Sequence, residues 1–487
     1  DSNETKPLYF SGLARSRADW LIGMNLTRAF TLHGKDRQLR SVGRVQTPTL
    51  SLVVKRDREI EHFVAQPYYE VHAWFDTRTA DKNSASTAQA CDSKLRLLET
   101  SWQVPSSIAD GHNRCVSKQQ AQAVVDRCRD KTGLVRTAST ERKTQPPPLL
   151  FNLSNLQQEA SRRWGYGAQE VLTAAQSLYE THNLISYPRS DCEYLPISQH
   201  KDVPLVLKAL AENDPALDDL VAQCRQNQRS RVWNDKKISA HHAIIPTQAR
   251  CSLSKLDHRE NRIYDMIRRR YLAQFYPDYE YDQSTILITV GEDKFKTSGR
   301  IMRIMGWKAL IQVPLAASKN AKTLKPQEHQ PRSSAANTDQ DKPLPAVEPG
   351  DSFPCDHLKL LDKLTKPPRH YTEGTLIRAM ESIGLQVKDK VLRKILRETA
   401  GLGTQATRAN IIQTLFQRQF IQKEKKCIKA TPLGCQLVDM LPDSIKDPIL
   451  TAQWEQQLED IATGKSNDID SFLQQQISLV NAILRQA

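Results

Sequence analysis

No run of about 18 apolar residues occurs along the chain, so no membrane-spanning helix is expected. No leader of the charged-then-apolar kind opens it, so a signal peptide is not expected either. Nine cysteines are spread over 487 residues without a single C-x-x-C pair. An odd count lacking metal spacing argues against a disulfide framework and against a zinc site, and the expectation is reduced thiols in a cytosolic compartment. Internal repeats are not visible. The turn "GLGTQATRANI" (401–411) resembles a phosphate cradle, but no Gly-Lys-Ser/Thr follows, so nucleotide hydrolysis is not supported. The first residue is Asp1 rather than Met, as in a fragment or a processed product.

What is present is a globular composition, 39% hydrophobic and 25% charged. The length suggests about three domains at roughly 150 residues each. A formal charge of +14 favours a polyanionic partner, most simply nucleic acid.

The patterning predicts a mixed α+β chain that is mainly helical. Residues 13–32, "LARSRADWLIGMNLTRAFTL", read as an arginine-rich amphipathic helix, and the spacing from Leu50 onward predicts a second one behind a turn at Gly43. "YYEVHAWFDT" (68–77) alternates as a half-buried strand. Residues 78–112 are polar and irregular, which predicts an exposed insertion. Residues 117–131 read as a helix, and three consecutive prolines exclude one at 146–148. Helical patterns follow over 153–182, broken at "GYG", and over 258–276; "YEYDQSTILITV" and "KFKTSGRIM" read as strands. From about 313 to 350 the composition is that of a linker or long loop. Near the end, "TRANIIQTLFQRQFIQKEKKCIKATPLGCQLVDML" predicts helix, hairpin and helix, with Thr431 as N-cap and Pro432 as first helical residue, the outline of a winged-helix unit.

Chemistry concentrates in a few stretches. In "THNLISYPRSDCEYLP" (181–196), Pro188 biases Tyr187 toward an extended conformation, and Arg189 follows two residues on. Side chains two apart on a strand share a face, so Arg189 is expected beside the Tyr187 hydroxyl, where its planar fork can grip a phosphate. A phenol attacks phosphorus poorly while protonated, its reference pKa being ~10, so a cation or base nearby is required. "WNDKKISAHHAIIPT" (233–247) offers His241 and His242, either of which can bond a phosphate oxygen or carry a proton. "SVGRVQTPTL" (41–50) places Arg44 and Gln46 two apart behind a glycine, suited to a backbone phosphate and a base edge. Thr404, Thr407 and Arg408 lie at the predicted helix start after the 401–403 turn. Each of these stretches also has an ordinary structural reading taken singly.

Taken in order, "ARSRADWLIGMNLTRAF", "SVGRVQTPTL", "LYETHNLISYPRSDCEYLP", "AHHAIIPT", "PPRHYTEGTLIRAM" and "GLGTQATRANII" resemble the type IA DNA topoisomerases, and within them the bacterial topoisomerase III branch, over roughly residues 10 to 480. The resemblance implies a multidomain toroidal core that cuts and reseals one DNA strand. By motif, Tyr187 is the position that forms the 5′-phosphotyrosyl bond, Arg189 holds the scissile phosphate, and His241 rather than His242 lies at the site. Ser41, Val42, Gly43, Arg44, Val45 and Gln46 match the single-strand groove, as do Asp19 with Arg15 and Arg17, and Thr407 faces DNA. The implied domains are discontinuous: a groove domain at 1–61 and 366–487, a strand-rich arch at 62–138 and 279–365, and the tyrosine domain at 139–278, or domains IV, II and III of the family. Residues 78–112 stand where topoisomerase III enzymes carry a loop linked to decatenation. The lack of cysteine pairs fits the III branch, since relatives of the I branch often add zinc ribbons.

One departure stands out. The family's Toprim domain carries a catalytic glutamate and an Asp-x-Asp-x-Glu magnesium cluster, and neither is found; the nearest string, "NDIDSF" (467–472), has no third acid. Magnesium is therefore expected on a Toprim domain outside these residues, and the stretch alone is expected to bind single-stranded DNA and cleave it weakly or not at all. The resemblance further implies a monomeric, cytoplasmic, nucleoid-associated bacterial enzyme that relaxes negative supercoils and decatenates DNA crossings. Two other classes remain open from the residues: a DNA-binding protein that performs no transesterification, and a tyrosine relaxase or recombinase, the latter leaving a 3′ linkage.

Overall fold

The computed structural model describes residues 2–34, 38–77, 97–238, 240–312, 343–386, 401–465 and 468–485. These elements divide into two compact units. One comprises Asp1–Phe63, Leu149–Leu272 and Pro368–Ala487, the other Val64–Pro148 and Ala273–Pro367. In chain order the first unit opens with helices α1 (Ser2–His33) and α2 (Gln46–Glu61). The second begins with strands β1 (Pro67–Asp76) and β2 (Leu97–Trp102), helix α3 (Lys118–Cys128) and strand β3 (Thr132–Gln145). The chain returns to the first unit for α4 (Leu153–Trp164), α5 (Ala168–Glu180), α6 (Val203–Asn213), α7 (Asp218–Ala222) and α8 (His258–Leu272). Strands β4 (Tyr279–Val290) and β5 (Asp293–Ile304), helix α9 (Lys308–Gln312) and strand β6 (Ser352–Leu364) complete the second unit. The last stretch carries α10 (Glu373–Glu381), α11 (Gln405–Gln417), β7 (Ile421–Glu424), β8 (Cys427–Ala430), α12 (Pro432–Met440), α13 (Asp443–Lys446), α14 (Pro448–Ala462) and α15 (Ile469–Leu484).

The second unit is a closed antiparallel barrel of order β1-β2-β5-β4-β3-β6. Alternation drives it. Val71, Ala73 and Phe75 of β1 point inward, and Phe295, Ile286, Ile288 and Phe353 meet them. Gly133 is needed there, because a Cβ would meet Phe75 Cε1 and Ile288 Cγ2 at 2.5 Å. Two expectations change. The polar stretch 78–112 contains β2, whose Leu98, Thr100 and Trp102 are buried while the residues between them are less so. Its period-2 signal is short and set in polar surroundings. Residues 78–96 lie outside the described residues, as do 313–342 of the expected linker, but Leu344 and Val347 from its end pack on the barrel core.

In the first unit, α1 buries Ala14, Ala18, Ile22, Leu26 and Phe30 at every fourth position and packs on α14 and α15. The break at "GYG" is a helix stop: Gly165 adopts φ +74° at the end of α4, and Gly167 opens α5. Helix α2 begins at Gln46, one turn earlier than its apolar spacing predicts, because Gly43 O accepts from Thr47 N at 2.9 Å and Gly43 N donates to Thr47 Oγ1 at 3.1 Å. Helix, hairpin and helix follow one another over 405–440, with Thr431 Oγ1 accepting from Gly434 N at 3.1 Å and Pro432 at the first turn of α12.

Burial pushes the barrel thiols up, Cys128 to about 12 and Cys355 to about 11. Both stay protonated at pH 8, and thiolate is the reactive form. A maleimide or disulfide reagent at pH 8 is expected to modify the half-buried Cys251 well before either barrel thiol, read by peptide mass mapping of native protein. Early labelling of Cys128 would contradict the closed core.

Candidate functional site

The site begins with two segments that pair backbone to backbone. Ile185 bridges Pro246, Ser186 N donates to Ile245 O at 2.9 Å, and Thr247 N donates to Leu184 O at 3.0 Å. The Ser186 hydroxyl closes the join from both sides, donating to Ala243 O at 3.0 Å and accepting from Ile245 N at 2.9 Å. A third strand-like piece joins them, since Phe151 bridges Ile244. Leu184, Ile185, Ala243, Ile244 and Ile245 are buried, so apolar burial fixes the register of the two segments.

This pairing delivers Tyr187 to His241. Their rings stack with centroids 4.7 Å apart and planes 25° apart, and Tyr179 packs edge-on to Tyr187 at 5.8 Å. Tyr187 is 37% exposed, so its hydroxyl is open to solvent. His242 turns away, its Nδ1 donating to Ala243 O at 2.8 Å. Arg189 is also exposed, and Pro188 and Ser190 between and beyond are buried. A turn at Pro188–Arg189 interrupts the extended backbone, so strand geometry is not what sets the direction of Arg189. Among the described residues Arg189 has no hydrogen bond or ion pair, which leaves its fork open to an incoming anion.

The residues expected at a single-strand groove form a second cluster. Arg44 is enclosed, with Nε donating to Asp19 Oδ1 at 2.9 Å and Nη1 to Glu455 Oε1 at 2.9 Å. Arg15 meets the same Glu455 through two parallel bonds of 2.7 and 2.6 Å. Gln46 Nε2 donates to Ser41 Oγ at 2.8 Å, Val42 N donates to Thr27 Oγ1 at 3.0 Å, and Arg17 is exposed on α1. Gly401 and Gly403 hold φ +73° and +70°, and a Cβ on Gly403 would lie 3.3 Å from Val45 Cγ1 and 3.2 Å from Thr407 Oγ1. The glycine turn therefore abuts the 41–46 segment. Thr407 is exposed and caps its own helix, Oγ1 accepting from Thr404 N at 3.0 Å. Arg408, which sequence reasoning set at the phosphate turn, is buried instead: it donates to Leu402 O, to Ser154 Oγ at 3.0 Å and to Glu381 Oε1 at 2.9 Å.

Hydrogen bonds link the two clusters. Ser154 N donates to the Gln405 side chain at 3.2 Å, and its neighbour Leu153 N donates to Ser190 O at 3.0 Å, three residues past Tyr187. Glu373 Oε2 accepts from Ala168 N at 2.8 Å at the start of α5, where a carboxylate also complements the helix dipole. The arrangement offers a solvent-facing phenol with an imidazole against its face, an open guanidinium two residues on, and an arginine-lined cluster on the same unit.

A family model for DNA topoisomerase matches residues 3–473. The chain is 39% identical over 488 residues to a DNA topoisomerase 3 of Salmonella typhimurium, covering 99% of this chain and 69% of the relative. It belongs to the type IA DNA topoisomerase family. A DNA topoisomerase 3 of Haemophilus influenzae is 40% identical over 464 residues, with 94% and 67% covered. One from Bacillus subtilis is 36% identical, with 95% and 58% covered. Full-length topoisomerase I from Thermotoga maritima shares the fold, with a TM-score of 0.66 at 20% identity over 98% of this chain and 68% of that one. As a topoisomerase the chain is an isomerase of DNA, and no described helix is long and apolar enough to cross a membrane.

Sequence reasoning on this topoisomerase overlooked Ser186 and Glu455. The first lies inside the "ISYP" motif and could have been suspected as a polar residue directly after the apolar pair Leu184 and Ile185. The second shares a helical stripe with Thr451, Trp454 and Leu458 in "TAQWEQQL". Losing a half-buried hydroxyl that satisfies two backbone groups costs about 1 kcal/mol or more. Ser186→Ala is therefore expected to lower the yield of covalent Tyr187–DNA adduct about tenfold while single-strand affinity stays within twofold, measured by denaturing gel and by fluorescence anisotropy. Unaltered adduct yield would show that this join does not aim Tyr187.

Proposed function

We propose that Tyr187 is the nucleophile of a topoisomerase III-type strand-passage reaction. Its oxygen attacks the scissile phosphorus and forms a P–O bond, and the P–O3′ bond breaks. The 5′-phosphate stays on Tyr187, the phenol proton passes to solvent or a base, and the departing 3′ oxygen takes up a proton. Religation reverses these steps after a second DNA segment has passed, which relaxes negative supercoils and decatenates. Arg189 offers an unpaired fork for the scissile phosphate. The stacked geometry of His241 suits holding the phenol ring and lending polarity beside the phosphate; in this arrangement no hydrogen bond joins imidazole to phenol. The observation that carries the reading is the exposed Tyr187 stacked on His241 at the end of two buried, paired segments.

Arg15, Arg17, Asp19, Ser41 to Gln46 and Thr407 make up the proposed single-strand groove segment, in which the enclosed Arg44 braces its neighbours instead of contacting a phosphate as its motif suggested. The proposed tyrosine domain is 139–278 and the proposed groove domain 1–61 with 366–487, ending in a winged-helix-like piece at 405–440; the first unit holds 1–61, 149–272 and 368–487 of these, whereas 139–148 and 273–278 belong to the barrel unit, which corresponds to the proposed arch. Among the described residues no group of three or more His, Cys, Asp or Glu side chains could hold a metal ion. The residues present do not fit magnesium, so no step is routed through one here. Magnesium is proposed to be held by a Toprim domain in the remainder of a longer protein, for which the uncovered third of the relatives leaves room. A monomer acting on single-stranded DNA at crossings, in the bacterial cytoplasm and nucleoid, completes the proposal.

In the full-length protein a 3′-labelled oligonucleotide is expected to transfer its label to protein, and a 5′-labelled one to release a fragment with a free 3′-hydroxyl. Tyr187→Phe is expected to abolish the adduct while single-strand affinity changes less than twofold. Adduct on the Phe variant, or label transfer from the 5′ end, overturns the assignment. Affinity is also expected to fall with salt at a slope of about −0.7 per phosphate contacted on a single strand, and salt-insensitive binding would remove the basic groove.

A further inference from the structure

Helix α14 turns one stripe toward Arg44. Thr451 Oγ1 donates to Arg44 O at 3.2 Å, the Trp454 ring lies 5.1 Å from the Arg44 guanidinium carbon, and Glu455 accepts from its Nη1. These positions, i, i+3 and i+4, share a helix face. Glu455 also takes the end of the Arg15 guanidinium through both oxygens. Burial alone would raise the Glu455 pKa; the hydrogen bonds and charges of Arg15 and Arg44 outweigh it and lower the value, so the carboxylate is anionic at neutral pH.

The two arginines differ in access. The Arg44 side chain is 3% exposed and that of Arg15 is 37% exposed. A guanidinium carries five N–H donors in a fixed fork. With one hydrogen of each Nη spent on Glu455, the Nε–H and the outer Nη hydrogens of Arg15 remain, and one edge can take a phosphate oxygen pair. Arg44 has no such edge, because Asp19 and Glu455 fill it and Trp454 covers its face. Its part is to keep Glu455 in place after Arg15 engages an anion.

We infer that Glu455 is a positioning residue for DNA: it fixes Arg15 so that the free edge of the guanidinium meets a backbone phosphate of the bound strand. The inference rests on Arg15 being a DNA ligand, as proposed above. A side chain that arrives already oriented loses less freedom on binding, so the carboxylate favours the complex although it repels the phosphate at longer range. Two rival roles make opposite forecasts. If Glu455 occupied the fork that phosphate needs, removing its charge would tighten binding. If it only joined α14 to α1, removing its charge would lower thermal stability and leave affinity alone.

The test measures single-strand oligonucleotide affinity across a salt series, in full-length protein carrying Tyr187→Phe. Glu455→Gln, Arg15→Ala and the double variant are compared. Each single change is expected to weaken binding about tenfold and to flatten the salt slope by about 0.7, one phosphate contact. The double variant is expected to be no weaker than either single one, because both remove the same placed contact. Arg15→Lys keeps the charge but not the fork and is expected to match Glu455→Gln, which preserves the test should the latter fold poorly. Tighter or unchanged binding by Glu455→Gln, or additive losses in the double variant, overturns the positioning role. Unchanged affinity and slope in Arg15→Ala instead overturns Arg15 as a DNA ligand, and the inference with it.

Discussion

A buried guanidinium cannot be left without partners, and Arg408 shows how much structure that rule can organise. Its side chain is 2% exposed and bonds Leu402 O, Ser154 Oγ and Glu381 Oε1. Burial pulls its pKa below the ordinary guanidinium value while Glu381 pushes the other way. Removing one partner of such a group costs about 3–5 kcal/mol, because the charge left behind is buried and unpaired. Three segments distant in sequence are therefore tied at one point: the glycine turn at 401–403, the start of α4 and the end of α10. Through Leu153 N to Ser190 O, the tie reaches the Tyr187 segment.

The same economy explains the reactive end. Tyr187 and His241 lie 54 residues apart, yet the apolar pairs around Ser186 leave only one register in which Leu184, Ile185, Ile244 and Ile245 are all inside. A slip by one residue would exchange the faces these side chains occupy, break both Ser186 hydroxyl bonds and carry Tyr187 off the imidazole. Stacking of the two rings follows from backbone pairing rather than from affinity between the rings. That matters for the chemistry, because face-to-face contact orients the phenol without taking its proton.

The sequence made the pieces of the candidate site legible because each is a short contiguous motif. Tyr187, His241 and the glycine turn are of this kind. The long helices and β1, β4 and β5 were also readable, since their apolar periods run for several residues without interruption. What escaped was non-local or brief. Strand β2 is six residues inside a polar run, and β6 follows a stretch with a linker's composition. Glu455 stands 411 residues after Arg44 and 440 after Arg15, and no motif joins them. The turn at Pro188–Arg189 escaped as well: proline announced a restricted backbone, and restriction was read as extension.

Charge illustrates the limit most clearly. An excess of +14 points to a polyanion but does not say which cations meet it. Arg44, beside Gly43 ahead of a helix, and Arg408, in the first turn of the helix after a glycine turn, look like phosphate ligands in sequence, and both are spent inside the protein on other side chains and a carbonyl. Arg15 and Arg17 stand in less conspicuous settings, and they and Arg189 reach solvent. The division has a physical basis. A guanidinium buried against a carboxylate is rigid and can brace a neighbour, whereas one at the surface keeps donors free for a ligand. In this chain the enclosed Arg44 shares Glu455 with the more exposed Arg15, and Arg408 ties the glycine turn to α4, so buried charges set the geometry around them.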